Sequence, residues 1–290
     1  MKCPRKTPMK VLKIKQTGLL LVLISCIILP ACQNTGNKTS ATDESNTDII
    51  KKEVILSPET QDLLNRFPTP LEVTNMLREA GAPYIFSLTN PPANVSNYFT
   101  EKTKALNLGI YSADLAYAST YQRANEIEKC LYCTGKLAGD LGIAGVYDKT
   151  LLEKVNNFKD NRDSLVSLVK RFFGETNDFL RRNNRTQVAA LVASGAFVEG
   201  LYIASSLCQL SPDNSLLAAA IYSQKESLDK LLRILGEYGM DSTVKPVADE
   251  LAKLNPVFTA YGLGSGKSIS PQQAGGIVKI TQDVRSSITK

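Results

Sequence analysis

Apolar side chains recur with a period near 3.6 residues along most of this chain, and no other feature constrains its fold as strongly. Such a period places the apolar residues on one face of an α-helix. No convincing alternation of apolar and polar residues, which would indicate a β-strand, occurs in the sequence. We therefore predict an all-α protein, a bundle of about eight or nine helices. The longest periodic run consists of Leu151, Val155, Phe158, Leu165, Val169, Phe172 and Phe179.

Start signals locate several of these helices. A hydroxyl residue, then proline, then Glu or Gln three positions after the hydroxyl residue is a strong helix start. This pattern occurs at Thr69 and at Ser270. A long helix is predicted to begin near Asn94, and the periodic run should break near Asp160. The stretch 185–207 is apolar on most faces, which indicates a helix at the centre of the bundle.

Two helical segments resemble each other. Residues 109–120 and 195–206 share Gly, aromatic, Leu, Ala and hydroxyl positions at an offset of 86 residues. A second match relates 147–151 to 240–244 at an offset of 93. These matches predict an ancestral duplication of a three-helix unit, with copies at about 94–160 and 185–255. The alternative is that core helices rich in small residues look alike by chance.

The N-terminal region is organised like an export signal. Residues 1–18 carry six basic side chains and no acidic one, and residues 19–29 are apolar except for Ser25. An apolar run of 11 residues is too short to span a bilayer and is typical of a secretory signal. We predict that this chain is exported.

The four residues Leu29, Pro30, Ala31 and Cys32 resemble the lipobox of bacterial lipoproteins, although Pro30 departs from the commonest pattern. The resemblance implies removal of residues 1–31, attachment of diacylglycerol to the Cys32 thiol and acylation of the new amino terminus. Two or three acyl chains would anchor the chain stably in a membrane. The alternatives are an ordinary signal peptide cut elsewhere and an uncleaved N-terminal anchor.

The residues after the cysteine suggest how the anchored chain is displayed. Residues 32–55 are mostly polar and are predicted to form a flexible tether, with the helical domain following at 56–290. Gln33 is not the aspartate that retains many lipoproteins in the inner membrane, so the resemblance implies delivery to the outer membrane. Because the first acidic residue is Asp43, we expect the domain to face the periplasm, with cell-surface display as the alternative.

Composition excludes several classes of partner and cofactor. Six of the 34 basic residues precede Cys32, so the remaining 28 equal the 28 acidic ones and offer no basic face for nucleic acid. The absence of histidine removes His-based catalysis and His metal sites, and we predict no metal and no cofactor. The glycine-rich stretch 262–268 is not read as a nucleotide loop, because Tyr261 stands where the motif needs glycine.

Two acidic residues lie in otherwise apolar helical stretches. Asp114 and Glu199 occupy comparable places in the two similar segments, one residue out of register. If the two helices face each other, the carboxyl groups should meet beside Tyr111, Tyr117 and Ser119. Buried acids of this kind have raised pKa values and suit ligand binding or acid–base chemistry. The structural alternative is that each acid meets a basic side chain or water.

Three cysteines remain in the domain. Cys130 and Cys133 form a CxxC pair within a predicted helix, and Cys208 lies in the central helix. Redox chemistry of the thioredoxin type would need a preceding strand, and zinc would need further ligands. Either a disulfide among these residues or buried free thiols fits the sequence.

Three hypotheses for function follow. The first is a non-catalytic outer-membrane lipoprotein whose periplasm-facing helical domain binds or scaffolds a protein of the cell envelope. The second is an envelope enzyme that uses Asp114 and Glu199. The third is a carrier that holds a small apolar ligand inside the bundle, in a pocket lined by Tyr111, Leu115, Phe197 and Leu201.

Overall fold

The structure is a computed structural model that describes residues 54–143, 146, 150–158, 160–211, 214–259 and 269–289. The predicted export signal, the predicted lipidation site Cys32, nearly all of the predicted tether and the glycine-rich stretch 262–268 lie outside these ranges. The described residues belong to one compact unit.

Within these ranges the chain forms eleven α-helices and no β-strand, which confirms the all-α prediction. The helices are α1 (Pro58–Asn65), α2 (Pro70–Glu79), α3 (Glu101–Thr120), α4 (Ala124–Asp140), α5 (Thr150–Phe158), α6 (Arg162–Arg182), α7 (Thr186–Leu210), α8 (Ser215–Gly236), α9 (Lys245–Ala252), α10 (Asn255–Thr259) and α11 (Pro271–Ile288). The count exceeds the predicted eight or nine because the run from 150 to 182 forms two helices and residues 255–259 form a short one.

The start of α3 corrects one boundary. The helix predicted to begin near Asn94 begins instead at Glu101, and a 3₁₀ helix occupies Pro92–Asn97. Thr100 caps α3 by accepting a hydrogen bond from the Thr103 backbone N–H at 3.1 Å, and the Thr103 hydroxyl oxygen accepts the Thr100 N–H at 3.2 Å. This reciprocal pair fixes the helix start, but it lacks the Glu or Gln of the usual pattern.

The other two start signals behave differently from each other. Ser270 begins α11 with the predicted capping box, in which its side chain accepts from the Gln273 N–H at 3.2 Å. Thr69 precedes α2 as predicted, but its side chain makes no capping hydrogen bond. Pro70 at the first helical position therefore sets the start of α2 without help from the hydroxyl.

Helices α3 and α7 form the centre of the bundle. Both are buried on nearly all sides, and they pack directly against each other. Among the described helices, α7 is the one long and apolar enough to cross a membrane, but 83% of its most apolar window is buried inside the protein. The sequence 185–207 therefore forms the predicted central helix.

Glycine allows the two central helices to touch. A Cβ atom built on Gly109 would overlap the Val192 carbonyl oxygen and would lie 2.7 Å from the Ala196 nitrogen. A Cβ atom on Gly195 would overlap the Leu106 carbonyl oxygen and would lie 2.8 Å from the Leu106 carbonyl carbon. The backbones thus meet at a distance that no side chain at either position would permit.

The remaining helices surround this pair. Helices α2, α4 and α6 pack on α3, whereas α2, α8 and α11 pack on α7. Helix α1 lies on α8, where Ser57 and Thr60 donate hydrogen bonds to the Glu237 carboxylate. The surrounding helices bury the predicted acidic pair and leave a groove lined by residues of α2, α7 and α8.

Candidate functional site

One face of α3 carries a row of polar side chains beneath segment 82–91, whose one regular element is a short 3₁₀ helix at Phe86–Leu88. The Tyr111 hydroxyl donates to the Pro91 carbonyl at 2.8 Å, and Tyr121 donates to the Ala82 carbonyl at 2.8 Å. Tyr117 donates to the Pro83 carbonyl at 3.0 Å and accepts from the Ile85 N–H at 2.9 Å. Buried backbone groups need hydrogen-bond partners. The tyrosine hydroxyls provide such partners for backbone groups of this segment that a longer helix or a strand would otherwise pair.

Asp114 belongs to the same row and holds the end of the segment. Its Oδ2 atom accepts a hydrogen bond from the Asn90 N–H at 2.9 Å, and the residue has no exposed surface. Its other oxygen, Oδ1, has no hydrogen-bond partner among the described residues. Burial, followed by the charge of Glu199, raises the pKa of Asp114 well above its usual range.

Glu199 meets Asp114 from α7 and is itself paired with α11. Arg285 Nη2 donates to Glu199 Oε1 at 2.8 Å, and Arg285 Nε donates to Oε2 of the same carboxylate. The guanidinium carbon also lies 4.7 Å from the centre of the Tyr202 ring. Burial disfavours the charged guanidinium, but the Glu199 carboxylate outweighs burial and raises the pKa of Arg285.

The structure brings together four of the five polar residues that were predicted to meet. Tyr111, Asp114 and Tyr117 share one face of α3, and Glu199 lies within hydrogen-bonding reach of Asp114. Ser119 is buried as well, but its hydroxyl has no partner among the described residues and no described contact joins it to the acids. Acid–base chemistry would need a cleft, whereas both carboxyl groups have no exposed surface.

The four residues expected to line the pocket of a ligand carrier are buried. Tyr111, Leu115 and Leu201 are at most 1% exposed, and Phe197 is 5% exposed. Tyr111 and Leu201 lie in the larger core cluster and Leu115 lies in the smaller one. Tyr111, Leu115 and Leu201 pack against neighbouring helices in the core, whereas Phe197 also borders a groove at the surface of the bundle.

A groove that was not predicted from the sequence crosses the surface of α7. Its volume is about 390 Å³. Ala196, Phe197 and Gly200 of α7 line its floor, and α2 and α8 line its two sides. The groove residues are Arg66, Phe67, Pro68, Thr69, Pro70, Glu72, Val73, Met76, Ala196, Phe197, Gly200, Ser223, Gln224, Glu226, Ser227 and Lys230.

Small residues on α7 permit this groove. A Cβ atom on Gly200 would lie 3.2 Å from Val73 Cγ1, so glycine lets α2 approach the floor. A second cavity of about 130 Å³ lies beyond the α1–α2 connection, and Phe67, Pro70 and Ala196 line both spaces. The connection 66–70 therefore forms a wall shared by two adjoining spaces.

The groove combines apolar and charged side chains. Phe67, Met76 and Phe197 provide apolar surface, and Lys230 is paired with Glu226 at 2.6 Å on α8. Surfaces that bind protein likewise combine apolar and polar groups. This mixture differs from the predominantly apolar lining of pockets for small lipophilic ligands.

The three cysteines of the domain are free thiols in the structure. Burial raises the pKa of Cys133 and of Cys208 to about 11 each and also raises that of Cys130. A thiol with a raised pKa holds little reactive thiolate at neutral pH. Among the described residues, no group of three or more His, Cys, Asp or Glu side chains is placed to hold a metal ion.

Comparisons with protein-family models, with curated proteins and with solved structures find no match for this chain.

Proposed function

We propose that this chain is a non-catalytic outer-membrane lipoprotein whose periplasm-facing helical domain binds a protein partner of the cell envelope through the groove between α2 and α8. The groove itself is the observation that carries the proposal. It is open to solvent, about 390 Å³ in volume, and lined by both apolar and charged side chains. A polypeptide segment offers the matching combination of backbone polar groups, side-chain charge and apolar contact.

The anchor on Cys32 would place this groove at the membrane. The tether of residues 32–55 gives a root-mean-square reach of roughly 25 Å if it is flexible. That reach lets the domain stand clear of the lipid headgroups and meet proteins near the membrane surface. The balance of 28 basic and 28 acidic residues after the signal supports a protein partner over a nucleic acid.

The two other functions are less well supported by the geometry. An acid–base enzyme requires substrate at Asp114 and Glu199, whose side chains have no exposed surface. A carrier requires space beside Tyr111 and Leu115, which are packed into the core. The groove, by contrast, needs no opening of the bundle.

A photoreactive amino acid at Ser223 tests this proposal directly. Ser223 lines the groove and is exposed, whereas the neighbouring Tyr222 is 40% exposed but does not line it. Irradiation of intact envelopes should join position 223, and not position 222, to a defined segment of one protein. A synthetic peptide of that segment should then bind the purified full-length chain.

Blocking the groove provides the matched functional control. A Gln224→Trp variant should lower affinity for that peptide at least tenfold because the indole fills the space, whereas Tyr222→Trp should leave the affinity unchanged. Equal crosslinking at positions 222 and 223, crosslinking to lipid alone, or peptide binding that survives Gln224→Trp would refute the proposed site.

A further inference from the structure

If Asp114 is an ionised carboxylate, one of its two oxygens lacks a hydrogen-bond donor among the described residues. Its Oδ2 atom is satisfied by the Asn90 N–H at 2.9 Å. Its Oδ1 atom is buried and has no donor among the described residues. A buried carboxylate oxygen that lacks a donor is strongly destabilising, and native structures rarely contain one without a reason.

Glu199 is the acidic side chain that interacts with Asp114. It lies within hydrogen-bonding reach of Asp114, and both of its oxygens accept hydrogen bonds from Arg285. Two ionised carboxylates would present only acceptors to each other. A single proton would supply the missing donor and would remove the repulsion between the two charges.

We propose that Asp114 and Glu199 share one proton at neutral pH, carried on Asp114 Oδ1 and donated to Glu199, and that this proton fastens α11 and segment 82–91 to the central helices. The resulting chain of hydrogen bonds runs from the Asn90 N–H through Asp114 and Glu199 to Arg285. It joins α3, α7 and α11 and the segment before α3.

No other nearby charge replaces this proton. The thiols and phenols that interact with Asp114 are neutral near pH 7, because burial raises their pKa values. Arg285 is the cation that acts against the rise in the pKa of Asp114. The neutral groups are Tyr84, Tyr111, Tyr117, Cys130 and Cys133. With one shared proton, the cluster of Asp114, Glu199 and Arg285 has no net charge. Release of that proton to solvent would leave two carboxylates beside one guanidinium.

The pH dependence has a definite sign. An aspartate in the unfolded chain loses its proton at about pH 4. The folded chain keeps the proton to a higher pH, because the pKa of Asp114 is raised by burial and by Glu199. Between these two values only the folded state binds the proton, so stability falls as pH rises. Above the folded pKa the dependence ends.

Infrared spectroscopy of the unmodified full-length chain tests the proton itself. A carbonyl band of a buried, protonated carboxylic acid should be present at pH 7 and absent in Asp114→Asn. Asp178→Asn is the control, because Asp178 lies at the surface beside Arg181, and it should keep the band. A chain without the band at pH 7, or a band that survives Asp114→Asn, would overturn the proposal.

Denaturant unfolding tests the consequence. For the unmodified chain and Asp178→Asn, the folding equilibrium constant should fall by up to about tenfold per pH unit above pH 5 because of this group. Asp114→Asn should lose that component of the slope. Hydrogen exchange of α11 amides, corrected for its intrinsic pH dependence, should accelerate in the same interval only when Asp114 is present. Parallel pH profiles for the unmodified chain and Asp114→Asn would contradict the proposed role.

Discussion

The contact between α3 and α7 predicts that one methyl group at Gly195 destabilises the whole domain. In Gly195→Ala the new Cβ atom would overlap the Leu106 carbonyl oxygen and lie 2.8 Å from its carbonyl carbon. Normal carbon contacts are about 3.5–4.0 Å. The two helices must therefore separate by roughly 1 Å at their crossing.

The magnitude follows from what that separation costs. A gap of this size forfeits about a quarter to a half of the dispersion energy of each facing atom pair. Both helices are buried along most of their length, so many pairs are affected. We expect a loss of about 3 kcal/mol, typical of severe overpacking. For a domain of this size, that corresponds to a fall in Tm of about 6–12 °C.

Gly174→Ala is the matched control. Gly174 lies inside α6, and a Cβ atom there would meet nothing within 4 Å. Alanine is favoured over glycine in a helix interior, so this variant should gain about 0.5–1 kcal/mol. Both variants are measured by thermal unfolding followed by circular dichroism. A Tm for Gly195→Ala within about 2 °C of the unmodified chain would refute the close contact.

The other predictions concern the thiols, the first helix and the anchor. Iodoacetamide should label the domain thiols only after denaturation, as mass spectrometry would show, whereas a disulfide or full labelling of the native chain would contradict the structure at Cys130, Cys133 and Cys208. Glu237→Gln should accelerate hydrogen exchange in α1, because this carboxylate accepts from Ser57 and Thr60. Those donors lower the pKa of Glu237, so its contribution should be lost as pH falls below about 4, and an unchanged acid profile in the variant would oppose this reasoning. Cys32→Ser should move the chain from the membrane fraction to the soluble fraction, and persistent firm attachment would refute lipidation.

The helices were largely predictable because burial repeats with the helical period. The apolar stretch 185–207 lies within α7 except for Arg185, which immediately precedes the helix, and the predicted break near Asp160 separates α5 from α6. The start of α3 was missed because its capping residues are both threonines, a pair without the usual acidic or amide partner. The duplication stays a prediction, although the contacts of Gly109 with Val192 and of Gly195 with Leu106 are reciprocal at the same offset of 86 residues.

The candidate site was less predictable because its partners are remote in sequence or carry no side-chain signal. Arg285 lies 86 residues from Glu199 along the chain, and Asn90 contributes a backbone N–H that any residue but proline would offer. The groove was missed for a related reason. Its lining comes from 66–76, 196–200 and 223–230, and no one of these ranges has an unusual composition.

The packing of the centre determines where binding can occur. Asp114 and Glu199 attract attention in the sequence because charge is rare in apolar helices, yet close contact at Gly109 and Gly195 leaves no space for a ligand at the crossing. Their hydrogen bonds run inward, to a backbone amide and to α11. The groove lies elsewhere on α7, where Ala196, Phe197 and Gly200 line it between α2 and α8. Glycine on α7 thus permits close packing at two places, against α3 at Gly195 and against α2 at Gly200.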